Sequence, residues 1–161
     1  MKVCVLYDSV TGNTKMLAEV IEKKYAALLT ENPAEADVVF LGSWTDKGSF
    51  SEKMKEQAEK IHEKKVFIFG TCGFGGNPEY YERLFERAAA LLDESNAVIG
   101  HYYCQGKMPM AVKDRYLSML REHPEDKKLE ASIQNFEEAL SHPDPEDLER
   151  LSELLDGLEL D

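Results

Sequence analysis

Residues Ser9-Val10-Thr11-Gly12-Asn13-Thr14 decide how this chain reads. The apolar run Val3-Cys4-Val5-Leu6-Tyr7 leads into them, and Lys15-Met16-Leu17-Ala18-Glu19-Val20-Ile21, apolar at helical spacing, leads out. A buried strand thus passes through a hydroxyl-rich turn into a helix spanning about Asn13 to Lys24. The first N–H groups of a helix have no partner within it. Three hydroxyls and a glycine beside them make an anion site. No Lys or Arg stands in the loop, so neutral donors hold the anion. The loop also lacks the G-x-x-x-x-G-K-[ST] spacing of a nucleoside-triphosphatase.

Outward from this unit, strands and helices alternate. Asp37-Val38-Val39-Phe40-Leu41-Gly42, Lys65-Val66-Phe67-Ile68-Phe69-Gly70 and Ala97-Val98-Ile99-Gly100-His101-Tyr102-Tyr103 are runs expected of strands buried on both faces. Helices are expected at about Ser51–Glu63, Pro78–Leu92, Ala111–Arg121 and Lys128–Leu140, the last completing the helical layers. Between the first helix and the Pro33 turn there is room only for a short edge strand near Ala27–Thr30. The alternation predicts an α/β fold, a parallel sheet with helices on both faces. Ligands of such sheets bind outside the carboxyl ends of the strands.

The motif Ser9-Val10-Thr11-Gly12-Asn13-Thr14 after the first strand resembles the phosphate loop of the flavodoxin family, [ST]-x-T-G-x-T. The resemblance implies a flavodoxin-like doubly wound sheet of order 2-1-3-4-5, its second strand short or degenerate. It also implies flavin mononucleotide (FMN), bound through its phosphate at this loop. Ser43-Trp44-Thr45-Asp46-Lys47-Gly48 then reads as one ring-binding loop, with Trp44 as a flat wall for the flavin or a plug under its own loop. Gly42 and Gly48 bracket it, and a peptide that flips on reduction is expected near Lys47-Gly48. Thr71-Cys72-Gly73-Phe74-Gly75-Gly76 resembles the second ring-binding loop, its glycines letting backbone N–H groups approach the pyrimidine edge. Cys72 reads as loop filler rather than a nucleophile. Gln105 and Gly106 line the pocket edge, beside Lys107.

The 161 residues read as one domain, 1–140 as core and 141–161 as an appended acidic helix with Leu148, Leu151, Leu154, Leu155 and Leu158 at helical spacing. The net charge of −12 opposes nucleic-acid binding. It is concentrated late: residues 1–110 carry 13 basic and 16 acidic side chains, residues 111–161 carry 6 and 15. Three widely spaced cysteines suggest neither a disulfide framework nor a zinc site, and the four histidines have no metal-ligand spacing. No apolar run reaches membrane-spanning length, and no signal-peptide pattern opens the chain, so a cytoplasmic protein is expected, monomeric or weakly dimeric.

The chain resembles short flavodoxin-like carriers that serve a dedicated reductase in anaerobic bacteria. That resemblance implies a low-potential electron-transfer protein with a reductase as redox partner. The alternative is a stand-alone flavin-dependent NAD(P)H reductase, though no G-x-G-x-x-G follows a strand. A signalling receiver fails because Gly42-Ser43 stands where the phospho-acceptor Asp belongs.

Overall fold

The computed structural model describes residues 1–161. Four parallel strands, β1 (Val3–Asp8), β2 (Val38–Asp46), β4 (Lys65–Cys72) and β5 (Ala97–Gln105), lie side by side in that order. A two-residue strand, β3 (Ser49–Phe50), folds back antiparallel on the end of β2. The place of the missing strand is marked by one parallel bridge, Val3 to Leu29, on the free edge of β1. The Thr30 N–H donates to the Val3 carbonyl there at 2.9 Å. Residues Ala26–Leu28 form a 3-10 turn instead of a strand. The order 2-1-3-4-5 is therefore realised with its second strand reduced to that single contact.

Alternation along β2 builds two cores. Val38 and Phe40 face one side with Leu17, Ala18 and Ile21 of α1 (Asn13–Lys24). Val39 and Leu41 face the other with Met54 and Ala58 of α2 (Glu52–Glu59) and Leu84 and Ala88 of α3 (Pro78–Ala89). Ser51 caps α2 and Asn77 caps α3 through their side chains, with Pro78 at the first position of α3.

The chain after β5 departs from expectation. Helices α4 (Met110–Glu122) and α5 (Lys127–Ala139) pack on each other as a hairpin beside the carboxyl edge of the sheet. The layer helix beside α1 is α6 (Pro145–Asp156), whose Leu151 and Leu155 are fully buried in the core with Phe40, Phe67 and Phe69. The segment read as an appended cap is thus part of the sandwich, and the helix read as the last layer is an insertion. Both helices have apolar stripes, and stripe alone does not say which one meets the sheet. Leu140, expected on the packed face of α5, is 44% exposed, and Leu154 stands out from α6. A reciprocal capping box of Asp144 and Asp147 starts α6. No helix is long and apolar enough to cross a membrane.

Candidate functional site

The first loop places Gly12 at φ +88°, where a side chain would be strained, directly before Asn13. The N-cap residue Gly12 offers no side-chain cap and no acid stands in the first turn of α1, so the N–H groups of Asn13 and Thr14 and the positive end of the dipole are available to an anion. The Ser9 hydroxyl accepts only the Lys15 N–H, at 3.3 Å. Thr11 is half-buried and Val10 is exposed. Thr14 is different: it is fully buried, and its hydroxyl is 3.0 Å from that of Thr71 on β4. Asn13 Nδ2 donates to the Lys107 carbonyl at 2.8 Å, while its Oδ1 is a buried side-chain acceptor with no partner.

The segment read as the first ring-binding loop is mostly strand. Ser43 and Trp44 pair with Gly70 and Thr71 as β2 runs on past Gly42. Gly42 is a packing glycine, since a Cβ there would overlap the Phe69 ring. Ser43 is buried, its hydroxyl donating to the Trp44 carbonyl and accepting the Ser51 N–H. The Thr45 hydroxyl donates to the Thr71 carbonyl at 2.8 Å. Trp44, read as a loop residue, sits on β2 and its indole N–H donates to Asp8 at 2.9 Å. Asp46 pairs with Ser49 across the turn Lys47-Gly48, whose φ values of +51° and +79° are those of a type I′ hairpin. Arg87 Nη1 on α3 holds the Gly48 carbonyl at 2.9 Å, drawing this tip towards the α3 side.

The glycine-rich loop begins only at Gly73, because β4 runs through Thr71 and Cys72. Side chains at Gly73 and Gly75 would overlap Met108 and Gln105, and Gly76 turns at φ +75°. Gly73 and Gly75 therefore serve close packing against the end of β5 and the segment that follows it. Gln105 is buried and its Nε2 donates to the Gly73 carbonyl at 3.0 Å; Gly106 packs against Asn13. Phe74 is 48% exposed, edge-on to Tyr80. Burial pushes the Cys72 thiol up to about 12 and the Tyr81 phenol to about 12. Cys72 is consequently a protonated, poorly nucleophilic thiol at neutral pH.

Hydrogen bonds thus join the ends of β1, β2, β4 and β5 into one platform through Asn13, Thr14, Thr45, Thr71, Trp44 and Gln105. Asp8, Arg87 and Asn135, which donates to the Gly73 carbonyl, also hydrogen-bond into it and Met108 packs against it, beyond the residues expected from the sequence. Only Asp8 carried a local signal, as the last residue before the phosphate-type loop.

Comparison with known proteins agrees with this geometry. Residues 4–156 match the model of a family described as Flavodoxin domain. The chain is 35% identical over 159 residues to the "Flavodoxin-like domain-containing protein BilS" of Clostridioides difficile (strain CD3), covering 92% of this chain and 90% of that protein. It is 33% identical over 172 residues to the protein of the same name from Clostridium symbiosum (strain WAL-14163), with the same coverage. Oxidised flavodoxin 2 from Bacillus cereus superposes with a TM-score of 0.51 at 20% identity, over 96% of this chain and 94% of that one, a likeness of fold. Strand–loop–helix motif, sheet order and relatives converge: the chain belongs to the flavodoxin family, whose cofactor is FMN.

Proposed function

We propose that this protein is an FMN-dependent, low-potential electron carrier that exchanges electrons with a separate protein reductase. The observation that carries the reading is the start of α1 behind Ser9–Thr14, with Gly12 in a left-handed conformation and the Asn13 and Thr14 N–H groups unpartnered. That arrangement fits a phosphate, so the loop would hold the FMN phosphate through those backbone N–H groups, the Thr11 hydroxyl and the Ser9 O–H. Trp44 and Phe74 supply flat apolar surface for the ring, and Thr45, Thr71 and Gln105 fix the strand ends between them. Bound FMN supplies the redox chemistry, and the protein sets how readily it is reduced. Asp8 and Asp46 stand at the strand ends and the phosphate loop has no cation, while Lys47, Arg87 and Lys107 stand near the same edge, and the balance of these charges sets the potential. Three buried free thiols suit the reducing cytoplasm.

Absorption spectroscopy of the purified protein, with release and identification of the chromophore, tests the cofactor. Stopped-flow mixing of the holo-protein with NADH and NADPH tests the role. Slow reduction by both nucleotides, with fast electron transfer from the dithionite-reduced protein to a protein acceptor such as cytochrome c, is the expected outcome. Rapid turnover with either nucleotide would make it a reductase in its own right.

A further inference from the structure

The α4–α5 hairpin touches the glycine-rich loop at one polar point. Asn135 Nδ2 on α5 donates to the Gly73 carbonyl at 2.9 Å, the same oxygen that accepts Gln105 Nε2 at 3.0 Å. The two carboxamides also meet each other, Gln105 Nε2 lying 3.2 Å from Asn135 Oδ1. Two side chains from elements thirty residues apart therefore converge on one backbone carbonyl. Met108 fills the space that a side chain at Gly73 would take, so the loop lies flush against the base of the hairpin.

From this we infer that Asn135, together with Gln105, is a positioning residue that fixes the Gly73–Phe74 peptide with its N–H presented to the flavin. A peptide is planar and trans, so holding the carbonyl of Gly73 on the clamp side turns the N–H of Phe74 to the opposite side. The N–H groups of Phe74 and Gly75 donate to nothing within the protein, whereas the Gly76 N–H is taken by the Tyr81 hydroxyl at 3.2 Å. Free donors on a rigid loop stabilise charge that develops in front of them, and rigidity removes the cost of orienting them. The insertion between β5 and α6 thereby gains a role in the site, since it carries Asn135 to the loop. The inference rests on the FMN-carrier reading above, and its test separates the two.

The variants are Asn135→Leu, which keeps the branched shape without the amide, and Asn135→Gln, which keeps the amide one methylene further out. Four quantities are measured: melting temperature, FMN dissociation constant of the apo-protein, hydrogen exchange of the Phe74 and Gly75 amides in the FMN-saturated protein, where the flavin protects them, and the midpoint potentials of both one-electron steps at saturating FMN. For Asn135→Leu the expected results are FMN binding about fivefold weaker, the loss of one modest hydrogen bond, faster exchange at Phe74 and Gly75, and potentials shifted to more negative values. Asn135→Gln should recover part of each shift. A lower melting temperature with unmoved potentials and unmoved exchange would overturn the inference, because it would make Asn135 a purely structural contact. Holo-protein that binds FMN yet passes no electrons to a protein acceptor would instead defeat the carrier reading and leave the effects on binding and exchange to decide the clamp.

Discussion

The indole nitrogen of Trp44 donates to a carboxylate oxygen of Asp8 at 2.9 Å, tying the end of β2 to the end of β1 beside the phosphate-type loop. Trp44 is thus a strand residue rather than a free loop side chain, its polar edge tethered to Asp8. Trp44→Phe keeps a ring and loses the tether, so FMN affinity should fall about threefold, whereas Trp44→Ala should lose about tenfold, the scale of an aromatic contact plus its area. Trp44, the sole Trp, should also brighten when FMN is stripped. Equal affinities for the Phe and Ala variants would show that the ring does not meet the flavin.

The two threonines of the first loop should separate binding from stability. Thr11 is half-buried with no partner in the protein, and Thr14 is buried against Thr71. Thr11→Val should weaken FMN binding by about 1.5–3 kcal/mol, the range for a charge-assisted bond, and leave the apo-protein's melting temperature unchanged. Thr14→Val strands the Thr71 hydroxyl and should lower that melting temperature as well. Calorimetric titration and thermal melts of apo-protein decide it.

Leu151 is fully buried with the phenylalanines of the sheet, and Leu154, three residues on, is 42% exposed. Leu151→Ala should cost about 2–5 kcal/mol in urea unfolding, Leu154→Ala less than about 0.5 kcal/mol. Truncation after residue 140 should leave a chain that does not fold cooperatively. A truncated chain with native melting behaviour would restore α6 to the status of a cap.

Cys72, with its thiol pushed up to about 12 by burial, should resist iodoacetamide at pH 8 in native protein and react at once in urea. Mass spectrometry of labelled peptides reads the difference.

The Asp147 backbone N–H, with the His142 charge adding less, holds the Asp144 carboxyl below its usual value. A carboxyl depressed in the folded state stabilises above its unfolded pKa, near 4, and loses that contribution as pH falls through the lower folded value. The melting-temperature advantage of wild type over Asp144→Ala should therefore shrink as pH falls below about 4. An advantage that persists at pH 2 would assign it to something other than the cap charge.

What was legible in the residues was what local physics specifies. The bounds of α1, Asn13–Lys24, follow from its periodicity, and the strand cores follow from continuous apolar runs. The strands run further than read, because Ser43, Thr45 and Asp46 are polar and Lys47-Gly48 makes a hairpin without the usual Asn-Gly signal. Assigning α5 and α6 failed because two amphipathic helices compete for one place on the sheet. The site's supporting contacts, Trp44 to Asp8, Arg87 to Gly48 and Asn135 to Gly73, span 36, 39 and 62 residues, distances over which one chain's residue order carries no pairing signal.

The lone bridge between Val3 and Leu29 also settles a question of handedness. Counted without it, the path β1–α1–β2 would join adjacent parallel strands with α1 on the face opposite to α2, a left-handed crossover. Counted with it, the chain first steps outward past β1 beneath α1, with Leu28 on the α1 face, and then returns over the other face, where Ala36 joins the α2 core. Both steps are right-handed, as the twist of parallel strands demands. One pair of residues is all that survives of a strand, yet it is the point around which the chain changes sides.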